Sequence, residues 1–159
     1  MQLHYVVNNL KYKTIFEVLK QEFQMSERLL TKLKKNARIF FNGNPIYHNM
    51  PIFLSDTITI FLDLEEESSN IVATKMDLSI LYEDEAFLIL NKPPNLPVHP
   101  SMLHYENTLS NGVKFYFESI GLKRKIRPVN RLDKDTSGIV IFAKNEYIQE
   151  CLVKQMQSK

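Results

Sequence analysis

The feature that most constrains this chain is an acidic, aperiodic run, Asp63-Leu64-Glu65-Glu66-Glu67-Ser68-Ser69-Asn70, set between two basic blocks. Residues 1–62 carry 8 Lys/Arg and 4 Asp/Glu, residues 63–87 carry 1 and 8, and residues 88–159 carry 11 and 6. The segment charges are +4, −7 and +5, a pattern that the net charge of +2 conceals. A polar run of like charges without a hydrophobic period has nothing to bury. It divides the chain into residues 1–62 and residues 78–159, with 63–77 expected as an exposed acidic linker. Each basic block can offer a face to a polyanion, although a charge run is also what an ordinary solvated surface looks like.

With 159 residues, 44% of them hydrophobic, the chain can build an ordinary core and is not disordered. No stretch approaches the roughly 18 to 20 consecutive apolar residues of a membrane span, and the opening Met1-Gln2-Leu3-His4-Tyr5 has no cleavable-leader pattern. The expected location is the cytoplasm, without membrane attachment. A single cysteine, Cys151, excludes an internal disulfide or thiolate cluster, and His4, His48, His99 and His104 lack metal-ligand spacing, so no metal is expected.

In the first block Ile15, Phe16, Val18, Leu19, Phe23, Met25, Leu29, Leu30 and Leu33 recur at steps of three and four. That is the helical period, and it predicts two short helices broken near Gln24–Met25, with Ser26 as N-cap of the second. On the second helix Arg28, Lys32 and Lys35 share one face, as a helix laid on phosphates requires. Ile39-Phe40-Phe41 then runs into Asn42-Gly43, a hairpin signal, followed by Pro45-Ile46-Tyr47 and the alternating strand Asp56–Phe61. With Ser26-x-Arg28, Leu33-Lys34-Lys35, Phe41-Asn42-Gly43 and Leu54-Ser55-Asp56, residues 14–62 resemble the alpha-L RNA-binding domain shared by a ribosomal small-subunit protein and several RNA-modifying enzymes. The resemblance implies RNA contacts at Arg28, Lys32, Lys34, Lys35 and Arg38. The family usually has glycine where Asn36-Ala37 stand.

In the second block Leu78–Tyr82 reads as a strand, Glu83-Asp84-Glu85 as a turn, and Phe87–Asn91 as a fully buried strand ended by Lys92-Pro93-Pro94. Residues 107–120 look helical and Gly121 is a stop; Glu146–Met156 is a second helix. Between them lies Arg127-Pro128-Val129-Asn130-Arg131-Leu132-Asp133-Lys134-Asp135-Thr136-Ser137-Gly138, a polar loop feeding the apolar run Ile139–Ala143. A carboxylate on such a loop, two residues from an arginine, can serve as nucleophile or base; the same pattern also fits a hydrogen-bonded turn.

The run Arg131-Leu132-Asp133-x-x-Thr136-Ser137-Gly138, a hydrophobic strand ending Ala143-Lys144, and the upstream Asn91-Lys92-Pro93-Pro94-Asn95-Leu96-Pro97-Val98-His99-Pro100 together resemble the two motifs of RluA-type RNA pseudouridine synthases. The resemblance implies an α+β chain: an alpha-L domain followed by the N-terminal part of a mixed-sheet catalytic domain. It implies that Asp133 is catalytic, acting at C1′ as nucleophile or at C2′ as base of a uridine in structured ribosomal or transfer RNA, taken out of its stack. It places Arg131 beside the flipped nucleotide and Asn130, where the family commonly has His, next to it. Lys92, Thr136, Ser137 and Gly138 would support the site, and no cofactor is needed. Family members continue for roughly another hundred residues. This chain is therefore expected to be truncated after the catalytic motif, to leave a sheet edge through which it could associate, and to be either half of the enzyme or a non-catalytic RNA-binding remnant.

Overall fold

The computed structural model describes residues 1–68 and 70–158; Ser69 of the acidic run and the final Lys159 lie outside the described residues. The chain forms two compact units, Met1–Asp63 and Leu64–Lys159.

In the first unit Thr14 caps α1 (Ile15–Glu17), accepting from the Glu17 N–H at 3.3 Å, and α1 runs into a π-helical turn over Val18–Glu22. Gln24 at φ 54 then breaks the helix where the periodicity falters. Ser26 caps α2 (Glu27–Lys35) through the Leu29 N–H at 3.1 Å, as expected. Leu29, Leu30 and Leu33 meet Ile15, Val18 and Leu19 and the sheet residues Ile39, Ile58 and Ile60 in the buried core. Each such side chain contributes on the order of 1.5 to 3 kcal/mol. Helix α2 ends with Ala37 N–H bonded to Lys34 O and Arg38 N–H bonded to Leu33 O, at 3.1 and 2.9 Å. This termination needs a left-handed residue, and Ala37 takes that place at φ 54.

The sheet runs β1 (Gln2–Val6), β4 (Thr57–Phe61), β2 (Ile39–Phe41), β3 (Asn44–Pro45), all antiparallel. Strand β1 is absent from the sequence reading: its partner lies more than fifty residues away, and its outward Gln2, His4 and Val6 are exposed. The Asn42-Gly43 turn forms at φ 48 and 84. The strand expected over Pro45–Tyr47 stops at Pro45. Proline has no N–H to extend the ladder, Ile46 turns its N–H back to Ile39 O, and Tyr47 is exposed.

The second unit is a two-layer α/β arrangement. Its antiparallel sheet is ordered β5 (Ile80–Glu83), β6 (Phe87–Lys92), β8 (Gly138–Ala143), β7 (Arg127–Pro128), and α3 (Leu109–Ser119) packs on one face. Leu88, Leu90, Val140 and Phe142 from the strands meet Leu109, Val113 and Phe117 from α3. Strand β6 is not buried throughout, contrary to the reading of Phe87–Asn91: Leu88, Leu90 and Lys92 are buried, while Phe87 and Ile89 are half-buried and Asn91 is exposed. One helical layer covers one side, so the strand keeps the two-residue alternation. Helix α3 ends in the same hydrogen-bond pattern as α2, with Gly121 at the left-handed position. Helix α4 (Glu146–Gln157) is capped by Asn145.

The expected exposed linker over 63–77 is also corrected. The Glu66 N–H donates to Lys123 O at 3.2 Å, and its carboxylate meets the buried Arg127 guanidinium at 2.8 Å. Ser68 is buried and its Oγ accepts from the Ile126 N–H at 2.9 Å. Further along, the buried Asn111 amide donates to Val72 O at 2.8 Å, and Met76 lies so close to Gly112 that a Cβ there would meet its Sδ at 2.5 Å. A buried guanidinium requires a partner carboxylate. Glu66 supplies it, so part of the acidic run is structure and not a spacer, while Glu65 and Glu67 remain exposed.

Candidate active site

The register of β6 on β8 sets Lys92 opposite Gly138 and Phe87 opposite Ala143. The end of the Lys-Pro-Pro strand and the start of the strand after Thr-Ser-Gly therefore lie at the same end of one ladder. From there the buried Lys92 ammonium donates to three main-chain carbonyls: Pro93 at 2.9 Å, Leu96 at 2.7 Å and Lys134 at 3.0 Å. The Lys134 carbonyl also accepts from the Leu96 N–H at 3.0 Å. One side chain thus ties the 93–96 bend to the residue that follows Asp133. Burial pushes the Lys92 ammonium below its usual pKa, with the Asp135 carboxylate acting in the opposite direction.

The loop that Lys92 holds is exposed: Arg131, Asp133, Lys134, Asp135, Thr136 and Ser137 all face solvent. The Thr136 N–H donates to Asp133 O at 3.0 Å, closing a turn. Asp133 therefore combines a fixed main chain with an accessible carboxylate, which is what acid–base or nucleophilic work on a bound ligand needs. Gly138 ends the loop at φ 145, and a Cβ there would sit 3.3 Å from Leu132 Cδ1. Only glycine takes that conformation without strain.

Asn130 fixes the other end of the loop. Its amide nitrogen donates to Ile139 O and its carbonyl accepts from the Ile141 N–H, each at 2.9 Å. It continues for one step the ladder in which the Val129 N–H donates to Ile141 O. Both halves of the amide are engaged with β8.

On the other motif, the Val98 carbonyl takes the Ser110 N–H and hydroxyl, at 3.0 and 2.7 Å, so the start of α3 anchors the residue before His99. His99 is held below its ordinary pKa by burial and by the Arg131 charge. The influence of Arg131 on His99, 32 residues away in the chain, is not visible in the sequence, because nothing local marks it.

With this geometry in place, the comparisons are decisive. The family model for RNA pseudouridylate synthase matches residues 86–159. An uncharacterized RNA pseudouridine synthase of Bacillus subtilis, YhcT, is 33% identical over 146 residues, covering 91% of this chain and 48% of that protein. A second from the same organism, YlyB, is 38% identical over 128 residues, covering 79% and 42%. Ribosomal large subunit pseudouridine synthase D of Borreliella burgdorferi is 35% identical over 152 residues, covering 91% and 45%. The chain belongs to the RNA pseudouridine synthase family. It spans about half the length of the curated relatives it matches.

Within this chain the sequence-derived residues fall in two places. Asp133, Arg131, Asn130, Thr136, Ser137 and Gly138 share the loop into β8, and Lys92 reaches it from β6. Arg28, Lys32, Lys34, Lys35 and Arg38 belong to the first unit. There Arg28 and Lys35 are exposed and Lys32 is partly so, while Lys34 lies over the Phe16 ring at 4.9 Å and Arg38 keeps its Nε buried. Among the described residues no helix is long and apolar enough to cross a membrane.

Proposed function

We propose that this chain carries the Asp133-bearing part of an enzyme that converts uridine to pseudouridine in structured RNA. The N1–C1′ bond breaks, the uracil turns within the site, and C5 joins C1′ as it loses its hydrogen, with the Asp133 carboxylate acting at the ribose. Arg131 contacts the surroundings of the extruded nucleotide, which must leave its stack at a cost of a few kcal/mol. Lys92, Thr136, Ser137 and Gly138 position the loop. The reaction involves neither hydrolysis nor redox change and calls for no cofactor. Residues 1–62 act as an alpha-L RNA-binding domain with Arg28, Lys32 and Lys35 toward the phosphates, and the protein works in the cytoplasm. Because one relative is named for the ribosomal large subunit, its RNA is the first substrate to try, with transfer RNA second.

The observation that carries this reading is the exposed Asp133 on a loop whose neighbouring carbonyl is held by a buried lysine from the other motif. The test is tritium release from RNA labelled at uridine C5, using this chain extended with the second half of a curated relative. Release that disappears in Asp133→Ala is expected. Release that persists in that variant removes the assignment of Asp133, and no release from the extended protein on either RNA leaves the chain as an RNA-binding remnant.

A further inference from the structure

A cavity of about 590 Å³ opens in the second unit between the acidic run, the loop after His99 and the segment entering β7. Its lining includes Glu67, Ile71, His99, Met102, Tyr105 and Lys125. Its walls are built, because each is tied down by a buried polar group. Ser68 bonds the Ile126 N–H, the Asn111 amide bonds both Val72 O and Tyr105 O, and Ser110 bonds Val98 O. The Ser101 and His104 main chains bond each other in both directions, so the rim is a closed turn. That turn presents Met102 and Leu103 almost wholly to solvent, at 101% and 90% exposure, with Tyr105 at 55% beside them. Large apolar side chains grouped on one rim are the kind of surface that marks a binding site.

We infer that this cavity receives an unpaired base of the RNA, adjacent in the strand to the uridine presented to Asp133. The inference rests on the functional reading above. The volume lies within the range of small-ligand sites, about 300 to 1,000 Å³. Tyr105 and Met102 supply a face on which a base stacks, and stacking tolerates any base. Glu67 offers an acceptor for an N–H on the base edge, and Lys125, at the end of the basic run Lys123-Arg124-Lys125, meets the following phosphate. His99 connects the two sites: it lines the cavity, and its ring feels the charge of Arg131, two residues before Asp133. The flat His99 ring offers a hydrogen-bonding edge to a base.

The experiment is a titration of the ¹⁵N-labelled 159-residue chain with hexauridylate, followed by amide shifts, with inorganic phosphate and free uridine as parallel arms. Hexauridylate is expected to move the amides of His99, Ser101, Tyr105 and Lys125. Tyr105→Ala and the cavity-filling Ile71→Trp should each weaken binding about tenfold. Tyr105 is exposed, so its replacement leaves the fold intact even if Ile71→Trp does not. Unchanged affinity in Tyr105→Ala, or the same shifts from phosphate alone, overturns the base site. Neither result bears on Asp133-dependent tritium release, which tests the underlying reading separately.

Discussion

Two buried lysines cap opposite ends of the same strand pair and do so by opposite means. Lys92 ends β6 against Gly138, and Lys144 follows β8 just past the Ala143–Phe87 pair. Lys92 is surrounded by carbonyls alone at hydrogen-bonding distance. Lys144 meets the Glu83 carboxylate at 2.9 Å and Asp84 O at 2.5 Å, and Glu83 in turn accepts from the Tyr116 hydroxyl. The hydrogen bond to Glu83 pushes the Tyr116 phenol up to about 12. The Lys144 end is a neutralised ion pair that stabilises the turn between β5 and β6. At the Lys92 end the Asp135 carboxylate acts on the ammonium through its charge, and the three hydrogen bonds the ammonium donates fix main chain and not side chains. The two ends thus differ in how the cation is held, by main-chain carbonyls at Lys92 and by a carboxylate at Lys144.

The comparison can be broken by replacing each lysine in turn. In the extended, active protein Lys92→Met should lower Asp133-dependent tritium release about 100-fold, since a displacement near 1 Å at a reacting group costs that much. Lys144→Met should change it less than threefold. Equal losses would show that both lysines act only through stability. For stability the order reverses: Lys144→Met strands a carboxylate whose side chain is only 22% exposed and should cost about 2 to 3 kcal/mol, read from amide exchange of the Leu88, Leu90 and Phe142 N–H groups. Gly138→Ala forces a side chain into φ 145 against Leu132 and should cost about 1 to 2 kcal/mol at the Lys92 end, measured in the same way.

The smallest effect concerns acid. Burial opposes ionisation of Glu83, but the bonds from Tyr116 and Lys144 outweigh it and leave the pKa below 4.5. The Phe87 N–H, with the Ala86 N–H and Tyr82 hydroxyl, holds Asp84 below 3.8. Both are depressed, so their stabilisation is complete above those ordinary values and is lost as pH falls through the lowered ones. Below about pH 4 the β5–β6 turn should exchange faster while the carbonyl-bound Lys92 end stays protected. Simultaneous loss at both ends would contradict the distinction.

What could be read from the sequence follows the range of the interactions. Ser26 capping α2, the Asn42-Gly43 turn and the Gly121 stop act within a few residues, and each is legible as a local signal. Strand β1 and the docking of Glu66 on Arg127, 61 residues apart, depend on partners that no local pattern reveals. The Asp133 loop was legible through its motif. Its attachment was not, because Lys92 binds carbonyls, which every residue has and no sequence pattern advertises. Ala37 shows a further limit: a left-handed turn can be imposed by the hydrogen bonds at the end of α2 without the glycine that usually announces it.

Asn130 has a consequence for how such a loop can vary. By standing in for backbone on β8, its side chain sets where the ladder stops and the free loop begins. One substitution there would release Ile139 and Ile141 from that contact and lengthen the loop at its root while leaving every residue from Arg131 to Gly138 in place. Position 130 is in effect a dial on the loop's length and slack, adjustable without touching the groups the loop presents.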